Sequence, residues 1–108
     1  MGKRESEFQA KLIKEIGERF PGAIVLKNDA NYIQGIPDLT ILYKDHWAAL
    51  ECKVSKTANV QPNQPYYISR MNEMSFASFI SPENKEEVLD ELERSFEASR
   101  QAFDPESE

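Results

Sequence analysis

A single cysteine, Cys52, and a single histidine, His46, stand among 108 residues. One thiol closes no internal disulfide, and the two together fall short of a four-ligand zinc site. A disulfide-stapled scaffold and a structural zinc domain are thereby excluded, and a reduced, cytoplasmic setting is expected. No apolar run approaches the roughly 20 residues that cross a bilayer, which argues against a membrane protein. The start, Met1-Gly2-Lys3-Arg4-Glu5, holds no apolar stretch, so a secretory leader is not expected. Bases are scarce, with 13 Lys and Arg against 19 Asp and Glu and a net charge of −6. That deficit is local. Residues 83–108 carry ten acids and three bases, a net of −7, which leaves +1 for residues 1–82. Phosphate attraction follows local charge, so the low pI does not exclude a nucleic-acid partner.

The length and the 40% apolar content suit one small domain, expected over residues 1–103, with 104–108 as a disordered acidic tail. Phe8, Leu12, Ile13, Ile16 and Phe20 recur at helical spacing and predict a helix from residue 4 to about 20, stopped by Pro21-Gly22. Ala23 to Lys27 reads as a strand, and the Asn-, Asp- and Gly-rich stretch 28–35 as a loop. Asp38 to Tyr43 and Trp47 to Val54 read as strands joined by a turn at Lys44-Asp45-His46, and so as an antiparallel pair. A polar loop then leads into a helix from about Pro65 to Met74, and Ser75 to Ile80 is a fourth strand. Ser81-Pro82-Glu83 reads as a helix start, with Ser81 as N-cap and Pro82 at the first helical position. Val88, Leu89, Leu92 and Phe96 give that last helix its apolar stripe. A helix between the third and fourth strands permits a parallel crossover, so an α/β fold with a mixed four-stranded sheet and a C-terminal helix is expected.

Strand period separates the side chains of the third strand. Leu50, Cys52 and Val54 share one face, and Ala49, Glu51 and Lys53 the other. A free cysteine in this setting is expected in the core. Glu51 and Lys53 are different, because Trp47, Ala48, Ala49 and Leu50 mark a central, covered strand. Charges are costly there unless they are paired or ligate a metal. The competing reading is a Glu51–Lys53 salt bridge on an exposed edge, against which the apolar flank argues. Asp38 opens the adjacent strand directly after Gly35-Ile36-Pro37, so it can converge with them at one end of the sheet. Two carboxylates that close repel unless a cation lies between them, and an all-oxygen ligand set suits Mg²⁺ or Mn²⁺. On the first helix Glu5 points along the direction of Phe8, Leu12 and Ile16, whereas Glu7 points to the polar side. Glu5 either reaches the same site or serves as a favourable charge near the helix N-terminus. His46 is expected to be an exposed turn residue. Trp47 reads as a cover for the sheet, while Tyr66 and Tyr67 stay open between packing and base stacking.

Gly35-Ile36-Pro37-Asp38, followed thirteen residues on by Glu51-Cys52-Lys53, resembles the PD-(D/E)XK nuclease motif. The α-β-β-β-α-β order matches that superfamily's restriction-endonuclease-like core. From about Glu5 to Leu92 the chain is similar to the small VRR-NUC and Holliday-junction-resolvase-like branches, including compact phage-type nucleases. The Glu5-x-x-Phe8-Gln9 segment fits the first-helix acid of those branches better than Glu7 does. Gln64 matches a glutamine that opens the helix after the third strand, with Gln61 the second choice. The resemblance implies a DNA endonuclease dependent on Mg²⁺, with Mn²⁺ able to substitute, acting in replication, recombination or repair. Junction or branched DNA is one option for the substrate, with flap, nick, single strand and plain duplex left open. Asp38 and Glu51 would be metal ligands with the Cys52 backbone carbonyl as a third, and Lys53 the catalytic lysine. Glu5 would be an accessory acid and Gln64 a site-supporting or DNA-contacting residue. The plain alternative for Gln64 is a polar cap on a proline-rich helix start. The family also suggests a homodimer, which would pool two weakly basic faces, and a replication or recombination partner in a bacterial or phage-infected cell. The alternative function is a non-catalytic DNA- or protein-binding module on the same fold.

Overall fold

The computed structural model describes residues 2–55 and 57–102, with side chains through residue 98. The expected acidic tail at 104–108 lies outside these residues. The elements run α1 (Lys3–Arg19), β1 (Ile24–Lys27), β2 (Leu39–Tyr43), β3 (His46–Cys52), α2 (Asn63–Met74), β4 (Phe76–Ile80) and α3 (Lys85–Ala102). This is the expected α-β-β-β-α-β-α order. The sheet order is β1-β2-β3-β4, antiparallel for the first two pairs and parallel for β3 with β4. The parallel pair needs a long crossover, and α2 supplies it.

The core forms where α1 and α3 lie on one face of the sheet. Leu12 and Ile16 from α1, Phe20 just past its end, and Val88, Leu89, Leu92 and Phe96 from α3 pack on Leu39, Ile41, Ala48, Leu50, Cys52 and Ile80. The opposite face presents Ala49 and Ala77, both buried, where α2 lies against β3 and β4. Alanine there lets the helix approach closely. β3 is therefore covered on both faces, and residues 48–52 are all buried. Over β1 and β2 the same face is bare, leaving Ile24, Leu26 and Leu42 exposed.

Three expectations are corrected. The last helix starts at Lys85 rather than at Pro82, because Ser81 is not its N-cap. Asn84 folds back instead, its Oδ1 accepting the Ser81 amide at 2.7 Å and the Ser81 hydroxyl at 3.3 Å, so residues 82–84 form a turn. The first long helical bond runs from the Val88 amide to the Asn84 carbonyl at 2.9 Å. β3 stops at Cys52 rather than Val54, where its pairing with β4 ends at Ile80. α2 begins two residues before Pro65, which falls in the first turn where the missing N–H costs no helical bond.

Candidate functional site

β2 and β3 pair with Leu39 opposite Leu50, so the next position outward sets Asp38 opposite Glu51. Backbone and side chain interlock across the two strands. The Asp38 amide donates to Glu51 Oε1 at 3.2 Å, and the Cys52 amide donates to Asp38 Oδ2 at 3.0 Å. α1 begins over the same corner and brings in Glu5 from its first turn. One carboxylate oxygen from each of Glu5, Asp38 and Glu51 lies within 4.8 Å of the other two. Glu7 stays exposed on the outer side of the helix. Gln9, one turn after Glu5, is buried and hydrogen-bonded to the Cys52 thiol, which fixes α1 against β3.

Lys53 and Gln64 complete the network. Lys53 Nζ donates to Gln64 Oε1 at 2.7 Å and to the Asn59 carbonyl at 3.1 Å, and it lies 3.6 Å from Glu51 Oε2. Gln64 Nε2 donates in turn to Glu51 Oε2 at 2.7 Å. The amide of Gln64 thus spaces the carboxylate from the ammonium and holds both. Gln64 Oε1 also accepts the Gln61 backbone N–H at 2.9 Å, so Gln61 supports the network through its main chain while its side chain is exposed. Glu51 is 2% and Lys53 9% exposed, which places a charged pair where water solvates it poorly.

The electrostatics follow from burial and from three acids facing one lysine. Burial and the neighbouring Asp38 push Glu51 up to about 7, with Lys53 opposing. Asp38 is also raised, first by burial and then by Glu5, against the stabilising Cys52 amide. The Cys52 thiol, fully buried, is pushed up to about 12, so it is neither nucleophile nor thiolate ligand. The Cys52 backbone amide is what bonds the acids, donating to Asp38 Oδ2. The donor set is all oxygen and carries excess negative charge in a covered corner. Those properties fit a hard divalent cation, so this acidic cluster can bind a metal.

The remaining singled-out residues lie elsewhere. His46 is corrected from an exposed turn residue: it opens β3, its side chain is 14% exposed, and its ring stacks on Phe96 at 6.0 Å. It sits at the opposite end of the strands from the acids. Tyr66 and Tyr67 pack edge to face on each other at 5.0 Å, with Tyr66 still exposed. Sequence reasoning passed over the Asn59 carbonyl and gave Gln9 no role. A glutamine on the inward stripe of α1 is the signal that was available for the second.

No protein-family model matches the sequence, and no curated protein does. Solved structures do resemble it. A structure titled VRR_NUC domain superposes with a TM-score of 0.65 at 22% identity, covering 82% of this chain and 97% of the other. A second, titled VRR_NUC domain protein, gives 0.62 at 14% identity, covering 90% and 91%. Among the described residues no helix is long and apolar enough to cross a membrane. Identity this low speaks to architecture alone, and with the mixed sheet and its flanking helices it shows that the chain has the fold of these VRR_NUC domain structures.

Proposed function

We propose that the chain is a divalent-metal-dependent nuclease that hydrolyses phosphodiester bonds in DNA. The observation that carries this reading is the convergence of Glu5, Asp38 and Glu51 beside a lysine held by Gln64. Asp38 and Glu51, with Glu5 and the Cys52 carbonyl, would hold Mg²⁺ or Mn²⁺. Such an ion, when bound, supplies a Lewis acid to a phosphate oxygen and makes water a better nucleophile. The chain's own residues do the rest. Gln64 and the Asn59 carbonyl take two of the three protons of the Lys53 ammonium, which leaves the third for a phosphate oxygen or the attacking water. Water adds in line to phosphorus and gives up a proton to solvent, the ester P–O bond opposite breaks, and the leaving alkoxide takes up a proton from solvent to become the alcohol. Lys3 and Arg4 precede Glu5, and Lys27 pairs opposite Leu39, so these three cations stand on the side of this corner for backbone phosphates.

Junction or branched DNA as the preferred substrate, a homodimer that pools two such faces, and a role in replication, recombination or repair in a bacterial or phage-infected cell belong to the same proposal. The test is incubation with supercoiled, linear and branched DNA in Mg²⁺ and in Mn²⁺. Metal-dependent cutting that Asp38→Ala abolishes supports the nuclease. Metal-independent DNA binding with no cutting supports a binding module instead.

A further inference from the structure

Asn28 falls in the stretch that reads as a loop, and the proposed chemistry makes no use of it. Its backbone N–H donates to the Asp38 carbonyl at 2.8 Å, which carries the β1–β2 ladder one pair beyond Lys27 and Leu39. Its side-chain nitrogen carries two protons, and both find acceptors. One meets the Pro37 carbonyl and the other Thr40 Oγ1, each at 2.8 Å.

The Pro37 carbonyl and the Asp38 N–H belong to one planar peptide group. Asn28 holds the carbonyl end, and Glu51 Oε1 accepts from the N–H end at 3.2 Å. Pro37 is fully buried, and its ring fixes φ, so the soft rotation left is the one that swings this plane. That rotation sets where the Asp38 side chain leaves the backbone, and hence whether its Oδ2 meets the Cys52 amide at 3.0 Å. We propose that Asn28 is a positioning residue for the Asp38–Glu51 pair, clamping the Pro37–Asp38 peptide so that its N–H faces Glu51 and its carboxylate faces the acidic cluster. The significance of the clamp rests on the nuclease reading, but its test does not.

The measurement is amide hydrogen exchange by NMR on the whole, metal-free chain. Asn28→Ala should speed exchange of the Asp38 and Cys52 amides about tenfold, the scale of one lost hydrogen bond. The Lys53 amide, bonded to the Ile80 carbonyl, is the internal reference and should stay within about twofold. Asn28→Ser, with one donor in place of two, is the milder variant and should give about threefold. Thr40→Val deletes only the second acceptor and should leave both amides within about twofold. Calorimetry with Mn²⁺ should show about tenfold weaker binding by Asn28→Ala. Wild-type exchange at Asp38 and Cys52 in the folded Asn28 variants overturns the proposal, and so does a uniform rise across β2 and β3. A wild-type chain that binds no Mn²⁺ and cuts no DNA sinks the nuclease reading, whereas unchanged exchange sinks this inference alone.

Discussion

At the hairpin end of β2 and β3, Phe20, Tyr43, His46 and Phe96 fill space with rings whose centroids lie 5.4 to 6.0 Å apart. The charges at that end stay on the rim. Arg19 meets Glu93 at 3.0 Å, Glu86 at 3.8 Å and Asp90, clamping α1 to α3 with partly exposed groups. At the other end of the same strands, 13 residues apart in sequence, Asp38 and Glu51 bring carboxylates into the covered corner and α1 adds Glu5. Rings pack without an electrostatic cost, and rim ion pairs contribute little either way. One buried acid and two half-buried ones facing a single lysine lower stability, and the fold tolerates them with a matching cation or a bound proton. One end of the strands holds the molecule together, and the other stores the unbalanced charge on which the proposed chemistry rests.

Substitutions at the two ends should therefore separate activity from stability. The largest effect is expected from Asp38→Asn, which removes a proposed metal ligand while keeping an acceptor for the Cys52 amide. Cleavage rate should fall on the order of a thousandfold or more. The metal-free protein should nevertheless melt higher, because one of three mutually repelling charges is gone. Phe96→Ala, at the aromatic end, should behave in the opposite way. It should cost about 3 to 5 kcal/mol in denaturant unfolding, with cleavage per folded molecule unchanged within about threefold.

The comparison sharpens with pH. Glu51 is held up to about 7, above its ordinary 4.5, by burial and Asp38. Between those values the folded chain keeps a proton that the unfolded chain releases, so metal-free stability should fall as pH rises from about 4.5 to 7. The loss should be on the order of 3 kcal/mol, with Asp38 adding in the same direction. Mg²⁺ competes with that proton, and the rise in melting temperature it causes should be greater at pH 8 than at pH 5. The smallest effect is expected from Gln64→Ala. It frees Lys53 and Glu51 from their spacer and should reduce cleavage about 10- to 100-fold with the fold intact.

The element order was legible because period and punctuation agree. Pro21-Gly22 ends α1, and the apolar stripes of α1 and α3 point where the core forms. Glu51 and Lys53 stood out because charges fell inside an otherwise apolar strand, and Asp38 followed once the hairpin register was drawn. Polar neutral residues were harder to read. Asn84 competes with Ser81 at the start of α3 through its own side chain, which propensity alone does not foretell. Asn28 and Gln9 act through amides whose partners lie across the sheet, and an amide leaves no charge imbalance in the sequence to mark it. His46 looked exposed because it adjoins a turn, but Phe96 arrives from 50 residues away to stack on it. Long-range packing of this kind is invisible to local pattern.

Calorimetric titration of the whole chain with Mn²⁺ at pH 8 bears most directly on the acidic corner as a metal centre. Wild type and Lys53→Ala should both release binding heat, whereas folded Asp38→Ala should give none. A silent wild type, or heat that survives unchanged in Asp38→Ala, would contradict it.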